Sequence, residues 1–113
     1  MPFLDVKVTL KLNAEQQDQL QSALTQASGK ALGKPSAYVM VGIQDGYSLF
    51  MNAKRLEQGA MVAVSLWGTP TRAQCDSLTA EICAALEGLG ILGDKIYVSF
   101  TPVDNWGYNG RLF

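Results

Sequence analysis

The chain passes twice through the same succession of hydrophobic patterns, and this repetition restricts the folds open to it. Apolar and polar residues alternate over Phe3–Leu12, apolar residues recur at helical spacing over 14–32, and alternation returns over Ala37–Gln44. The succession is then repeated, with alternation over Ala60–Trp67 and Lys95–Thr101 on either side of a second helical stretch. Alternation is typical of a half-buried strand, and a period of about 3.6 residues is typical of an amphipathic helix. The sequence therefore predicts two strand-helix-strand units.

Both predicted helices have recognisable ends and one apolar face. Asn13 followed by Gln16 predicts a capping box at the start of the first helix, and Gly33 predicts its end. The second helix is predicted to start near Thr69-Pro70-Thr71, with the proline in its first turn, and to end within Gly88–Gly93. The residues predicted to face the core are Leu20, Leu24, Ala27 and Ala31 in the first helix and Cys75, Leu78, Ile82, Ala85 and Leu89 in the second.

The two units predict an α+β fold in which both helices cover one face of a four-stranded mixed sheet. A crossover between parallel strands is almost always right-handed, so each helix lies over the same face of its own strand pair. We expect a single domain over 1–113, with pseudo-repeats at about 2–44 and 60–101, and a further short strand within Tyr47–Met51. Two echoes between the halves agree with this division, Leu32-Gly33-Lys34 with Leu92-Gly93-Asp94 and Tyr38-Val39 with Tyr97-Val98.

The sheet face away from the helices is expected to be covered by other subunits. Its predicted residues are Asp5, Lys7, Tyr38, Met40, Ala63, Ser65, Trp67, Tyr97 and Ser99. This face is too apolar to be left in water and too polar to form a core. Hydrophobic residues make up 48% of the chain and charged residues only 17%, below the roughly 25% of an average soluble domain. The surplus apolar surface favours self-association.

The composition excludes several classes of function. The chain has no histidine, a net charge of -1 and no basic cluster, so neither a nucleic acid nor a membrane surface is expected as a partner. Cys75 and Cys83 are too far apart on the second predicted helix to bridge, and they form no metal or redox motif. The glycines form no phosphate-binding loop, and we expect neither a cofactor nor a metal. No secretory signal or spanning segment is recognisable, so the expected location is cytoplasmic.

Met1 and Pro2, at the start of the first strand, are either incidental or the source of the chemistry. If Met1 is removed, Pro2 carries a secondary α-amine that the strand holds in place. Burial of such an amine disfavours its charged form and lowers its pKa, which makes Pro2 a candidate general base. The alternative is an ordinary frayed terminus.

Lys34 is predicted to lie close to Pro2. The first helix runs antiparallel to the first strand, so its C-terminal end returns to the edge where that strand begins. A cation fixed there could bind a ligand carboxylate while Pro2 removes a proton from the carbon next to a carbonyl. The like charge would also lower the pKa of the proline amine. The alternative for Lys34 is a lysine that only interacts with the helix dipole.

Several motifs along the chain match one known family. They are Met1-Pro2, Gly33-Lys34-Pro35, Lys95-Ile96-Tyr97-Val98, and Trp106-Gly107-Tyr108-Asn109-Gly110 with Phe113. From end to end the chain resembles the macrophage migration inhibitory factor family of the tautomerase superfamily. The resemblance implies a homotrimer with active sites at subunit boundaries, removal of Met1, and cofactor-free keto–enol tautomerisation of phenylpyruvate-like or dopachrome-like carbonyl compounds by Pro2. The family also includes extracellular signalling proteins, so release without a signal peptide is compatible with the resemblance.

The resemblance also implies a substrate site. Lys34 would hold the substrate carboxylate, and the backbone at Leu66 would line the pocket. The aromatic walls would be Tyr97, Trp106, Tyr108 and Phe113, with Tyr97 contributed by a neighbouring subunit. The alternative for the tail aromatics is packing at an interface. Two departures leave substrate preference open, because Ser99 stands where the family often has asparagine and Trp67 adds a bulky indole near the pocket rim.

The sequence leaves three functions open. The first is the tautomerase. The second is an interaction or signalling protein that keeps the family fold around a vestigial pocket. The third is a trimeric scaffold in which Pro2 is merely terminal. The Cys-x-x-Cys motif of some relatives is absent, so redox activity is not expected.

Overall fold

A computed structural model describes residues 1–113. The strands are β1 (Pro2–Val8), β2 (Met40–Gln44), β3 (Phe50–Met51), β4 (Lys54–Arg55), β5 (Ala60–Trp67), β6 (Ile96–Val103), β7 (Gly107–Tyr108) and β8 (Arg111–Leu112), and the helices are α1 (Ala14–Leu32) and α2 (Arg72–Glu87). Neither helix combines the length and the hydropathy needed to span a bilayer.

The main sheet has the strand order β2-β1-β5-β6. The central strands β1 and β5 are antiparallel, and each outer strand is parallel to the central strand beside it. This arrangement confirms the predicted α+β fold with two β-α-β units and a mixed sheet. Asp5 lies opposite Ala63 at the middle of the central pair, and an approximate two-fold axis there relates the two halves.

Equivalent positions in the two halves differ by 58 in the numbering through the central strands and helices, and by 57 in the outer strands. The helix N-caps Asn13 and Thr71 show the offset of 58, and each makes a reciprocal capping box with the glutamine three residues later. Such a cap stabilises a helix by about 1 kcal/mol. Ala60 is therefore the counterpart of Pro2, at the start of the other central strand.

The core lies between the helices and one face of the two central strands. Every second residue of β1 and β5 is buried against the apolar stripes of α1 and α2. The fully buried side chains of these strands and helices include Leu4, Val6, Val8, Val62, Val64, Leu24, Leu78, Ile82 and Leu86. Each contributes about 1.5–3 kcal/mol through removal of apolar surface from water. Leu86 was not among the predicted core residues, whereas Cys75, Ala85 and Leu89, which were, are only half-buried.

The first strand is shorter than predicted and ends at Val8 rather than at Leu12. The Thr9 hydroxyl donates a hydrogen bond to the Glu57 carbonyl at 2.8 Å and accepts one from the Gly59 N–H at 3.0 Å. These bonds tie Thr9 to the segment before β5, and the chain bends immediately after it. Leu12 is nevertheless buried. The alternation of apolar residues therefore extends beyond the end of the strand, which is why the sequence predicted a strand that is too long.

The outer strands also begin later than predicted, because each is preceded by a 3₁₀ turn. Ser36–Tyr38 forms such a turn before β2, and Gly93–Lys95 forms its counterpart before β6. The two echoes noted in the sequence are therefore not equivalent positions, since Tyr38 corresponds to Lys95 rather than to Tyr97. β6 runs on to Val103 and contains Pro102, which an edge strand tolerates because it need not donate to a further neighbour.

The start of α2 was predicted two to three residues too early. The helix begins at Arg72, Thr71 is the N-cap, and Pro70 lies outside the helix rather than in its first turn. Threonine supplies a side-chain acceptor for the free N–H groups of the first turn, which proline cannot do, so the cap sets the boundary.

Two short hairpins complete the chain. Only Phe50–Met51 of the predicted strand within Tyr47–Met51 is extended, and it pairs with Lys54–Arg55. The second hairpin, β7–β8, turns at Asn109 and Gly110, whose φ angles of 51° and 87° suit a tight hairpin turn. It is held to the chain before it by the Phe113 N–H, which donates to the Trp106 carbonyl at 3.0 Å. This hairpin brings the aromatic tail to the region around Pro2.

Candidate active site

Pro2 is held at the edge of the sheet by the central strand pair. Its side chain is fully buried, and its backbone lies opposite Leu66 of β5. The residue before it is also fixed, because the Trp67 N–H donates a hydrogen bond to the Met1 carbonyl at 3.3 Å. The start of the chain is thus an ordered part of the sheet.

Lys34 lies at the same end of the sheet as Pro2. Gly33 adopts a left-handed conformation with φ 63° and ends α1, and the Lys34 N–H donates to the Gly29 carbonyl at 3.1 Å. The half-buried Lys34 side chain lines a cavity of about 200 Å³ together with Leu66, the strand partner of Pro2. Leu66 therefore lies beside both Pro2, its strand partner, and Lys34, with which it shares this cavity.

The electrostatic environment at the start of the chain favours a neutral amine. Desolvation by burial lowers the pKa of the Met1 α-amino group, and the positive charge of Lys34 lowers it further.

A second cavity, of about 220 Å³, opens directly beside Pro2. It is lined by Met1 to Phe3, by Ala37 to Met40, and by Trp106 to Tyr108. Four aromatic rings from three parts of the chain pack in a row along this end of the molecule. The successive ring centroids are 5.7 Å apart for Tyr38 and Tyr108, 5.9 Å for Tyr108 and Phe113, and 5.2 Å for Phe113 and Trp67. Trp106, Tyr108 and Phe113 thus all lie near Pro2, although Phe113 contacts the row rather than the cavity.

Tyr97 and Ser99 lie elsewhere in this chain. Tyr97 is opposite Met61 on β5, five residues along that strand from Leu66, which is roughly 17 Å at the usual rise of a strand. Ser99 is opposite Ala63 and is also exposed on the sheet face away from the helices. Within a single chain, therefore, neither residue belongs to the site around Pro2.

Tyr38 and Met40 line the cavity beside Pro2 but were not among the predicted site residues. The alternating pattern assigned both to an outer strand. The 3₁₀ turn that Pro35 initiates instead carries Tyr38 out of the sheet and towards Tyr108. Pro35 and Ser36, which begin two residues after the C-cap glycine Gly33, were the available signal for this turn.

The cysteines and the acidic residues form no second reactive site. Cys75 and Cys83 are free thiols, and burial raises the pKa of Cys83, which disfavours its thiolate. No three His, Cys, Asp or Glu side chains lie together as metal ligands would. The features around Pro2 are therefore the strongest candidate for chemistry.

Comparison with known proteins places this arrangement in a family. The family model described as macrophage migration inhibitory factor (MIF) matches residues 1–113. The D-dopachrome decarboxylase-B of Xenopus laevis is 29% identical, over 99% of this chain and 97% of its own length. The crystal structure of MIF2 from Leishmania major has a TM-score of 0.92 at 29% identity and covers 100% of this chain and 97% of its own.

A more distant structure shares the fold alone. The Q0 fused 4-OT wild-type symmetric trimer has a TM-score of 0.85 at 23% identity and covers 96% of this chain and 93% of its own. The family match spans the two repeated units, the ordered Pro2 and the aromatic tail. This chain belongs to the macrophage migration inhibitory factor family.

Proposed function

We propose that this protein is a keto–enol tautomerase whose general base is the Pro2 amine, exposed by removal of Met1. Its substrates are phenylpyruvate-like or dopachrome-like carbonyl compounds, and no cofactor takes part. The observation that carries the proposal is the position of Pro2, which is buried at the start of a central strand and pairs with Leu66, a residue that lines one cavity together with Lys34. The similarity to a D-dopachrome decarboxylase supports the substrate class.

Removal of Met1 would change the site in two ways. The Pro2 nitrogen, now part of an amide, would become a secondary amine deeper in the protein than the Met1 amine, whose pKa is already lowered. The Trp67 N–H would lose the Met1 carbonyl as its acceptor and become a free donor beside that amine. The backbone N–H group that faces the pocket would therefore be that of Trp67. It lies next to Leu66, whose backbone is the pocket lining that the family resemblance implies.

The reaction itself needs only a proton transfer. The neutral Pro2 amine takes a proton from the carbon next to the substrate carbonyl, and the electron pair moves onto the carbonyl oxygen as an enolate. The protonated amine then returns the proton to that oxygen, which completes the isomerisation without net loss or gain of atoms. Lys34 holds the substrate carboxylate, and the freed Trp67 N–H stabilises developing negative charge on oxygen. Trp106, Tyr108 and Phe113 enclose the apolar part of the substrate.

The remaining site residues are proposed to come from a neighbouring subunit. Tyr97 is 66% exposed and Ser99 is exposed on the uncovered sheet face, which also carries Met40, 67% exposed. A homotrimer would cover this face, and the fused 4-OT protein of the same fold is a symmetric trimer. In such an assembly Tyr97 and Ser99 of one subunit complete the site around Pro2 of the next.

The first experiment combines intact mass with an assay. The mass of the purified protein should show that Met1 is absent. The enol–keto conversion of phenylpyruvate should then be about 10²- to 10⁴-fold slower in Pro2→Gly than in the wild type, because a positioned base contributes that much. Ala60→Gly, the equivalent change in the second half, is the matched control and should keep wild-type activity. Retained Met1, or equal rates in wild type and Pro2→Gly, would contradict the proposal and favour the interaction protein.

Subunit mixing tests the shared site. Pro2→Gly and Tyr97→Ala are each expected to be weakly active alone. When the two are unfolded together and refolded in equal amounts, about a quarter of all sites combine an intact Pro2 with an intact Tyr97 of the neighbour. Recovered activity is expected. Activity no higher than the average of the two separate variants would show that Tyr97 acts within its own subunit or not at all.

A further inference from the structure

We infer that the indole of Trp67 positions the Lys34 ammonium and thereby makes the site selective for substrates that carry a carboxylate. The inference rests on the proposed function for the identity of the reaction, and it concerns a side chain to which the family resemblance assigns only bulk at the pocket rim. Trp67 is thus a positioning residue that acts through Lys34.

The first observation is the contact between the two side chains. The Lys34 nitrogen lies 6.0 Å from the centroid of the Trp67 ring, within the range at which a cation is attracted to an aromatic face. Lys34 forms no salt bridge, because the ion pairs of the chain are Lys7 with Asp5 and Lys95 with Asp94. The indole is therefore the group that restrains an otherwise free ammonium.

The second observation is that Trp67 is itself anchored on its other side. Its ring is 5.2 Å from that of Phe113, which packs on Tyr108 of the terminal hairpin. Trp67 is the last residue of β5, so its backbone is held by the sheet, and Gly68 follows it with φ 86°. The indole thus connects the C-terminal end of α1, where Lys34 lies, to the aromatic row beside Pro2.

The third observation concerns the two cavities. The cavity beside Pro2 is not lined by Lys34. Lys34 lines the neighbouring cavity, which Pro2 does not line and to which Trp67 contributes. A lysine side chain has a long flexible stem, and fixing it costs conformational entropy. An indole that holds the ammonium in place before the ligand arrives reduces that cost, so it favours ligands whose affinity depends on the ammonium.

The test compares a charged ligand with an uncharged one in Trp67→Leu and Trp67→Phe. For phenylpyruvate, KM should rise about fivefold in Trp67→Leu and less in Trp67→Phe, while kcat stays close to that of the wild type. For phenylpyruvate methyl ester, KM should rise clearly less than for the acid in both variants, because only the packing of Trp67 on Phe113 is lost. Trp106→Leu is the matched control, since it removes an indole from the wall beside Pro2 and should weaken both substrates alike. An equal loss for acid and ester in Trp67→Leu would overturn the inference, because it would identify Trp67 as an ordinary wall.

Two further measurements keep the inference independent of turnover and of folding. Binding of 3-phenylpropanoate and of 3-phenylpropanamide by titration calorimetry should show the same selective loss in Trp67→Leu, even if the protein proves to have no tautomerase activity. In the ligand-free protein, NMR should show the ε-protons of Lys34 shifted by the indole ring current in the wild type and not in Trp67→Leu. Unchanged Lys34 shifts would overturn the inference. If Trp67→Leu fails to fold, the inference is tested by the KM values of Trp67→Phe and by the ring-current shift of Lys34 in the wild type. Absence of that shift would overturn the inference.

Discussion

The start of β1 and the start of β5 occupy equivalent places in the fold but differ in chemistry. Pro2 and Ala60 are both buried at the beginning of a central strand, each beside the end of its own helix. A cavity opens at each place, and the one beside Ala60 is the larger, at about 340 Å³ against about 220 Å³. The fold therefore provides two similar concave ends.

The two ends differ in one terminus and in the position of their cations, because the lysine that lines the cavity beside Ala60 is Lys95, which pairs with Asp94. Ala60 lies within the chain and can never present an amine, whereas Pro2 can once Met1 is removed. The residues Gly33 to Pro35, which include Lys34, are matched in the second half by Ile91 and Leu92, both apolar. The comparison indicates that the proposed activity depends on a chain terminus and on the position of Lys34, rather than on the scaffold that the two halves share.

If the scaffold is symmetric in energy as well as in shape, equivalent core residues should contribute equally. Leu24 of α1 and Ile82 of α2 are equivalent, and both are 0% exposed. Leu24→Ala and Ile82→Ala should each lower the free energy of unfolding by about 2–5 kcal/mol, because each leaves a cavity among packed side chains. Urea denaturation at one fixed protein concentration measures both, since association would otherwise shift the midpoint. A large difference between the two losses would show that one half carries more of the stability.

Lys34→Ile gives the first half an apolar residue like Ile91 and Leu92, which occupy the equivalent place in the second half. Lys34→Ile removes the cation that is proposed to bind the substrate carboxylate, and KM for phenylpyruvate should rise about tenfold or more, as expected for the loss of a hydrogen bond to a charged group. Lys30→Ile is the matched control, because Lys30 is exposed in the last turn of α1 and also interacts with the helix dipole. Similar effects of the two changes on KM would favour the dipole role of Lys34 over carboxylate binding.

The same substitution should move the pH dependence. An amine acts as a base only when neutral, so activity should rise with pH through the pKa of the Pro2 amine. Desolvation and then the Lys34 charge lower the pKa of the Met1 amino group, and the same two causes are expected to act on the adjacent Pro2 amine and to place the rise below the usual range of an α-amine. Lys34→Ile removes the second cause and leaves the first, so the rise should shift to higher pH without reaching the ordinary value. A profile of kcat/KM for the methyl ester checks this, and a shift to lower pH would contradict it.

Much of the scaffold could be predicted from the sequence because local patterns determine it. The alternation in the central strands, the capping boxes and Gly33 each depend on residues close together in the chain. The boundaries that were wrong depend on distant partners or on short turns. Thr9 leaves the strand because it bonds to Glu57 and Gly59, and Tyr38 leaves it because of the 3₁₀ turn before β2.

The sequence could predict which site residues lie near each other only where the order and direction of the strands and helices determine it. The approach of Lys34 to Pro2 follows from the direction of the helix, whereas the row of rings from Tyr38 to Trp67 depends on how the terminal hairpin folds back. No local sequence pattern predicts that the terminal hairpin packs back against Tyr38 and Trp67. The proposed roles of Tyr97 and Ser99 require a second chain, and the sequence of one chain does not fix the geometry between chains.

The smallest expected effect comes from a place where the two halves differ in their packing. Ser28 is 0% exposed on the core face of α1, and its hydroxyl has no hydrogen-bond partner, whereas the equivalent residue in α2 is Leu86. Ser28→Ala should raise the free energy of unfolding by about 1 kcal/mol, because it removes an unsatisfied buried hydroxyl. Ser22→Ala, on the exposed face of the same helix, measures the part of any gain that is due only to the helix propensity of alanine. If both changes stabilise the protein equally, the buried hydroxyl costs nothing and must find a partner, such as a water molecule, in solution.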